Sequence, residues 1–387
     1  TGLTVVEAKH NVQPKADTVY IAPPNSDITV TKGKLRISKP TKIVGPKPSV
    51  DRFFLSLAED LEDRAIGIIL SGTGSDGAHG IRAIKAAGGI CIAQDPASAK
   101  YDSMANAAIR AGGTDLVLPP HEIAEQLRFI VQAPRAPIIE DSESAPPSGL
   151  RGIVRQIAAH TGMDFSNYKE STLSRQIMRR MAAMQIPDLE AYGKYISNHG
   201  KELSELAGNF LICVTSFFRD PESFESLRRA LREILKEKAP GDEIRVWVPG
   251  CATGEEVYTI AILIVEELGK ARDKYKIQLF ATDINGDAVS IARAGLYPEA
   301  SLSEVDNALI ERYFTPHDGR YLIDKSLREM TLFARQDIVQ DPPFARLDLV
   351  SCRNMLIYFK PDLQDRVMKI FHRSEEHTSE LQSRYVI

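Results

Sequence analysis

Two short stretches of this sequence carry glycines and carboxylates at spacings that could hold an anionic or nucleotide-like ligand. The first, residues 71–80 (SGTGSDGAHG), places Gly72, Gly74 and Gly77 as G-x-G-x-x-G between a strand-like run and a helix-like one. Asp95 ends the next strand, which nearly completes a dinucleotide-binding fingerprint. Asp76 argues against that use, because it stands inside the loop that would cradle a pyrophosphate. A like charge at ~4 Å costs about 4 kcal/mol at an effective dielectric of ~20. Asp76 has two other readings: it caps the following helix, or it orients a histidine as the third member of a Ser/His/Asp triad.

The second stretch follows Arg245-Val246-Trp247-Val248 and reads Pro249-Gly250-Cys251-Ala252-Thr253-Gly254-Glu255-Glu256 ahead of an apolar helix. Small residues at 250, 252 and 254 let a backbone turn approach a ligand closely, with helix N–H groups pointing at it. The strand at 277–281 then ends in Thr282-Asp283-Ile284-Asn285, and a carboxylate at that tip suits the two hydroxyls of a ribose. Arg335-Gln336-Asp337-Ile338 and the run DLVSCRNMLIYF at 348–359 follow. Glycine turn, acidic strand tip, third-loop acid and polar fourth-strand tip, in that order, suit S-adenosylmethionine-dependent methyl transfer. A nucleotide-binding α/β domain without methyl chemistry is the competing reading.

The elements that must position these residues come from pattern and composition. At 387 residues, 43% hydrophobic and 26% charged, the chain fits two or three globular domains. Its 48 basic and 52 acidic residues give a net charge of −4, which points to no general nucleic-acid binding. The four cysteines are far apart with no C-x-x-C pair, so neither zinc knuckles nor a disulfide framework is indicated, and reduced thiols in a cytosolic protein are expected. The longest apolar run, 257–265, is far below the roughly 18 residues a bilayer span needs. No secretory leader pattern opens the chain, and its first residue is Thr1 rather than Met, so a cut N-terminus is expected.

Residues 1–132 alternate strands (18–22, 34–37, 65–70, 89–93, 115–118) with helices (78–87, 104–111), a rhythm that argues for a parallel α/β sheet. Pro, Ser and acidic residues at 133–149 read as a linker. From 150 to 238 the pattern is helical, with candidates at 150–160, 170–184, 189–198 and 201–210. The βα rhythm returns over 239–373, with strands at 244–248, 277–281 and 348–351 and helices at 255–268 and 287–294. The polar stretch 374–387 looks like a translated cloning adaptor and is left out of the functional argument. On the helix at 170–184, Leu173, Ile177 and Met181 form an apolar face, while Lys169, Arg175, Arg179 and Arg180 form a basic patch. A solvated amphipathic face is the plain reading of that patch, and RNA binding lacks the interleaved aromatics it needs.

Residues 18–132 resemble part of a chemotaxis receptor methylesterase catalytic domain (CheB-type), through YIAPP at 20–24, the loop at 71–80, RAIKAAGG at 82–89, IAQDPA at 92–97 and MANAAIRAGGTDLVL at 104–118. The resemblance implies that Asp76 is the triad acid. It also implies that the Ser and His belong to earlier strands, so this chain is expected not to hydrolyse esters. Residues 150–372 are similar to the chemotaxis receptor methyltransferase family (CheR-type). The motifs are Thr161-Gly162-Met163, Tyr168-Lys169, the Arg-rich helix, Thr215-Ser216-Phe217-Phe218-Arg219-Asp220, the glycine turn, the Asp283 tip, Cys352-Arg353-Asn354 and Ile357-Tyr358-Phe359.

The fold thus implied is α/β throughout: a partial parallel-sheet esterase domain, a small all-helical subdomain, and a Rossmann-like class I methyltransferase sheet truncated at its C-terminus. The missing final strands are expected to lower stability and activity. The implied activity is O-methylation of glutamate side chains on chemoreceptors, with S-adenosyl-L-methionine as cofactor. The implied cofactor contacts are Thr215, Arg219, Glu255, Asp283, Asp337, Ile338, Arg353 and Asn354, with Glu256 as the alternative to Glu255. Asp283 would hold the ribose, Asp337 and Ile338 the adenine. Arg219 would set positive charge near a carboxylate, and Tyr358 would help place the reacting groups. Cys213 stands where the family often has Asn. Arg175, Arg179 and Arg180 would dock on the acidic methylation helices of the receptor. The sulfonium already activates the methyl and a glutamate is ionised at neutral pH, so no metal and no general base are expected. A cytoplasmic protein without membrane insertion or nucleic-acid partner is expected. The rival readings are a dinucleotide-dependent oxidoreductase using Gly72–Gly77 and a non-catalytic signalling scaffold.

Overall fold

The computed structural model describes residues 2–39, 48–132, 148–302 and 305–375. The expected linker (133–149) lies outside the described residues up to 147, as does the expected foreign tail (374–387) from 376 onward. The chain divides into two compact units: Thr1–Ser166 with Glu170–Ile212, and Asn167–Lys169 with Cys213–Ile387.

In the first unit, β1 (Thr4–Glu7) pairs in parallel with β2 (Thr18–Ile21), and β3 (Asp27–Thr31) forms an antiparallel hairpin with β4 (Lys34–Ser38). Helix α1 (Val50–Leu61) packs its Phe54 and Ala58 inward. Then β5 (Ile66–Ile69), α2 (Ala78–Ala86), β6 (Ile90–Gln94), α3 (Ser103–Arg110) and β7 (Leu116–Leu118) alternate, followed by α4 (Pro120–Gln132). The three strands form one parallel sheet in the order β5-β6-β7, and every residue of β6 is buried, as its continuous apolar run requires. Four helices complete the unit: α5 (Ser148–Thr161), α6 (Glu170–Ala183), α7 (Leu189–Ser197) and α8 (Gly200–Phe210). Leu173, Ile177 and Met181 are buried on one face of α6, as their i, i+4, i+8 spacing predicts.

The second unit opens with α9 (Pro221–Lys236), which the sequence grouped with the preceding helices. Phe224, Leu227 and Leu231 of α9 instead join the core of the second unit. That core forms around β8 (Glu243–Pro249), α10 (Glu255–Leu268), β9 (Lys276–Asp283), α11 (Gly286–Ala294), β10 (Leu296–Pro298), α12 (Asn307–Tyr313), β11 (Phe314–His317), β12 (Arg320–Ile323), α13 (Lys325–Glu329), β13 (Thr331–Arg335), β14 (Leu349–Val350) and α14 (Pro361–Glu375).

The main sheet is parallel in the order β13-β9-β8-β14, and β10, β12 and β11 make a separate antiparallel ribbon. Read in chain order, the main sheet is third-second-first-fourth, so the winding reverses between β8 and β14. Ligands of such sheets bind outside the carboxyl ends of the strands at that reversal. Period-2 alternation gives β8 two buried faces: Ile244, Val246 and Val248 join one core cluster and Trp247 joins the other. Helix α10 is apolar nearly all round and correspondingly buried. Leu363, Val367 and Phe371 of α14 cover the Trp247 face, with the Phe371 ring edge-on to the indole at 5.6 Å.

Candidate functional site

The turn after β8 runs through positive φ at Gly250 (67°), Ala252 (46°) and Gly254 (92°). Glycine is required at its two ends. A Cβ on Gly250 would meet Met355 Sδ at 2.7 Å, and one on Gly254 would meet the Ala292 Cβ at 2.8 Å. The turn is held from β9: Cys251 N–H donates to Thr282 O at 3.0 Å, and Ala252 N–H to Asp283 Oδ2 at 2.8 Å. Asp283 Oδ1 accepts the Asn285 N–H at 2.8 Å. Burial pushes the Asp283 carboxyl up, while these N–H groups pull it back. Beneath the turn, buried Trp247 Nε1 donates to Thr282 Oγ1 at 3.0 Å.

Further segments converge on the same strand ends. Gln336 N–H donates to Asp283 O at 3.0 Å, bringing Asp337 and Ile338 beside the Asp283 tip. Asp337 Oδ1 accepts the Val339 N–H at 2.9 Å, which fixes its carboxylate in a tight turn. Asn285 Nδ2 contacts Cys213 Sγ at 3.4 Å, and Phe218 N–H donates to Thr259 Oγ1 at 3.2 Å. These two bonds tie the Thr215–Arg219 motif to the tip of β9 and to α10. Arg353 Nη2 donates to Arg219 O at 2.8 Å and to Asp220 Oδ2 at 3.0 Å, with its guanidinium 4.5 Å from the Phe224 ring. Arg219 Nη1 in turn donates to Val214 O at 2.9 Å. Phe218, Asp220, Ala252 and Asn354 are non-glycine residues at φ 53°, 58°, 46° and 57°, all within these converging segments. Such strain persists where surrounding contacts over-determine it, and it gathers at functional sites.

The two adjacent glutamates separate. Glu255 is buried and accepts the Thr253 hydroxyl at 2.6 Å, so its carboxylate is engaged inside the turn. Glu256 accepts the Ser351 hydroxyl at 2.7 Å. Burial pushes the Glu256 carboxyl up, and the Ser351 hydroxyl and the Arg353 and Arg219 guanidiniums pull it down. Glu256 is therefore within electrostatic reach of Arg219 and Arg353.

Tyr168 also belongs here. Its backbone bridges to Phe359, Lys169 N–H donates to Tyr358 O at 2.9 Å, and Lys360 N–H donates to Asn167 O at 2.9 Å. The Tyr168 ring meets Phe359 edge-on at 5.0 Å and packs in the cluster that includes Ile338 and Tyr358. Burial, with Asp283, Asp337 and Cys213 in electrostatic reach, pushes its phenol well up, so it stays a donor.

The other glycine loop is used differently. A Cβ on Gly72 would meet Met104 Sδ at 2.2 Å, and one on Gly77 (φ 94°) would meet Ile69 Cδ1 at 2.5 Å, so side chains of the same unit fill the close approaches. Asp76 caps the preceding helix rather than the following one. Its carboxylate accepts Val50 N–H at 2.8 Å, Asp51 N–H at 2.9 Å and the Ser49 hydroxyl at 3.3 Å. Asp95 turns onto Ala97 N–H at 3.0 Å. Asp51 accepts Gly80 N–H at 2.6 Å, and burial pushes its carboxyl up to about 7.

The basic patch on α6 is not a free surface. Arg179 has a fully buried side chain that donates to Lys85 O at 2.8 Å and lies 3.6 Å from Asp115 Oδ1. Arg180 makes a two-pronged, buried pair with Glu202, whose Oε1 also accepts the Tyr192 hydroxyl at 2.7 Å. Arg175 pairs with Glu62 at 3.2 Å. The expected docking role is corrected for Arg179 and Arg180, whose side chains are buried. Buried guanidiniums require carboxylate partners, and Asp115 and Glu202 supply them from positions remote in sequence.

A glycine turn gripped by a carboxylate at the reversal of a parallel sheet belongs to the Rossmann-like class, whose ligands bind at that reversal. Comparison with known proteins specifies it further. Family models match for CheB methylesterase at residues 1–127, the all-alpha domain of CheR methyltransferase at 148–211, and the SAM binding domain of CheR methyltransferase at 213–382. The chain is 32% identical to the Pseudomonas putida methyltransferase Cher3 over 236 residues, covering 59% of this chain and 84% of that protein. It is 27% identical to the Escherichia coli chemotaxis protein methyltransferase over 234 residues, covering 57% and 78%. An uncharacterised 104.1 kDa protein of Rhodobacter capsulatus is 36% identical over 396 residues, covering 96% of this chain and 42% of that protein. The chain therefore spans about two-fifths of that relative's length. The catalytic domain of Thermotoga maritima CheB methylesterase is similar at 35% identity with a TM-score of 0.30, covering 32% of this chain and 68% of that one. The chain belongs to the CheR methyltransferase family and carries a CheB methylesterase domain in the same polypeptide.

Proposed function

We propose that the second unit binds S-adenosyl-L-methionine and methylates glutamate side chains on the helices of a chemoreceptor. The observation that carries this reading is the Asp283 carboxylate at the reversal of the sheet. It grips the glycine turn through Ala252 N–H and stands beside the arginine-bearing segments. The residues fit the group. Asp283 suits ribose hydroxyls, and Asp337 and Ile338 line the adenine side. The turn 250–254 brings backbone close, and Thr215 and Asn354 stand on the segments that converge there.

When bound, the cofactor supplies an activated methyl on a sulfonium. The chain's residues do the rest by placement and water exclusion. Arg219 and Arg353 set positive charge where a carboxylate is received. Glu256 is the acidic contact we assign, in place of Glu255, because Glu255 is buried against Thr253 inside the turn while Glu256 lies in electrostatic reach of Arg219 and Arg353. Tyr358, held by the bond from Lys169 N–H to its carbonyl, places the reacting groups. Asp76 in this reading acts as a helix cap.

The test incubates the chain with methyl-labelled S-adenosylmethionine and cytoplasmic helices of chemoreceptors. Base-labile label on glutamate is expected, and it is abolished by Asp283→Ala. Label that is base-stable, or unaffected by that substitution, would overturn the proposal.

A further inference from the structure

Tyr168 has no ligand contact assigned to it so far, yet residues 167–169 group with the second unit while the chain on either side belongs to the first. The segment is stapled in place by two backbone bonds, from Lys169 N–H to Tyr358 O and from Lys360 N–H to Asn167 O, each 2.9 Å. This register is specific: it sets Tyr168 opposite Phe359 and puts its ring in the cluster that holds Ile338 and Tyr358. The groups that act on its hydroxyl are Asp283, Asp337 and Cys213. Asp283 and Asp337 are the carboxylates assigned to the ribose and to the adenine. The Tyr168 ring offers an aromatic surface beside the segment that carries Ile338, next in sequence to Asp337.

We infer that Tyr168 is a cofactor-binding residue, walling the adenosine half of the pocket with its ring and turning its hydroxyl to the adenosine. The inference rests on the cofactor reading above and adds a residue from a segment remote in sequence from the glycine turn. Because the phenol remains protonated, it donates throughout the working pH range. Its contribution acts on the adenosine moiety and is independent of the amino-acid end, where Arg219 and Glu256 stand.

The test is calorimetric titration of the full chain and of Tyr168→Phe and Tyr168→Ala with two ligands. S-adenosylhomocysteine carries both ends, and 5′-methylthioadenosine keeps the adenosine and lacks the amino acid. Tyr168→Phe should weaken both ligands by the same factor, about 3- to 10-fold for one hydrogen bond. Tyr168→Ala should weaken both further, whereas Arg219→Ala should weaken only S-adenosylhomocysteine. A merely structural role for Tyr168 would lower the melting temperature of the ligand-free chain in Tyr168→Phe and leave the affinity of the folded fraction unchanged. That result would overturn the inference, as would unaltered binding in both tyrosine variants or a loss confined to S-adenosylhomocysteine. If the wild-type chain bound neither ligand, the cofactor reading would fall, and this inference with it.

Discussion

After β5 and again after β8 the chain makes the same local move, a glycine-bearing turn into a helix N-terminus, but the sheets that receive the two turns differ. Among the described residues β5 is an edge strand of an order that runs steadily one way, β5-β6-β7. Met104, Ile69 and Val50 crowd the glycines of the turn after it. In contrast, β8 lies between β9 and β14, where the winding reverses. The acids diverge accordingly. Asp76, inside the first turn, is drawn to the N-terminus of α1, whereas Asp283, on the neighbouring strand, reaches across to hold the second turn open. The two turns share a glycine pattern and differ in what surrounds it: packed side chains at the first, and an acid from the neighbouring strand at the second.

The largest effect that would sharpen this contrast lies in the first unit and concerns stability. Arg179→Ala leaves Asp115 buried without its cation and should cost about 3–5 kcal/mol. Arg175→Ala, at a partly exposed pair, should cost less than about 1 kcal/mol. Urea denaturation of both variants measures the difference, and equal costs would contradict the burial assigned to Arg179. Next, Glu256→Gln should weaken S-adenosylhomocysteine about tenfold, since it removes a charge worth about 1.4 kcal/mol at a charge-assisted contact. Glu255→Gln should change stability more than affinity. The reverse pattern would return the assignment to Glu255.

Smaller again, Asp76→Ala should lower stability by about 1 kcal/mol, as loss of a helix cap does, and should leave cofactor affinity untouched. Binding of a dinucleotide created or abolished by that change would break the contrast between the loops. A further expected effect is a slope. The Asp51 carboxyl rises from 3.8 to about 7 on folding, so in that window the native state holds a proton that the unfolded chain has released. Its contribution is complete below about pH 4 and is lost as pH rises through 7. Asp51→Asn should flatten the fall in melting temperature between pH 4 and 7. An unchanged slope would show that other groups set it.

Much of this was legible beforehand because it depends on short-range pattern. The β8 alternation, the bounds of α10 at Glu255–Leu268 and the buried stripe of α6 follow from period and composition. The glycine turn and the Asp283 tip were read from residue types at strand ends. What escaped depends on distant partners. The sequence showed Arg179 and Arg180 as a basic patch, because Asp115 and Glu202 become their neighbours only in the fold. It could not separate Glu255 from Glu256, since the separation comes from Thr253 on one side and Ser351 on the other. Asp76 was read as either a cap of the helix after it or, by resemblance, the triad acid; its carboxylate holds the N-terminus of the helix before it, a partner remote in sequence. Helix α9 was grouped with its sequence neighbours because its own stripe does not say which core it enters.

The central claim is that the crevice at β8, and not the loop after β5, holds a nucleoside cofactor through Asp283. Calorimetric titration of the full chain with S-adenosylhomocysteine, with NAD as control, tests it most directly, using Asp283→Asn and Asp283→Ala as the graded variants. The account predicts saturable binding of S-adenosylhomocysteine, weakened in Asp283→Asn and lost in Asp283→Ala while the chain stays folded, and no heat with NAD. Binding of NAD that depends on the Gly72–Gly77 loop, or S-adenosylhomocysteine affinity indifferent to Asp283, would contradict it.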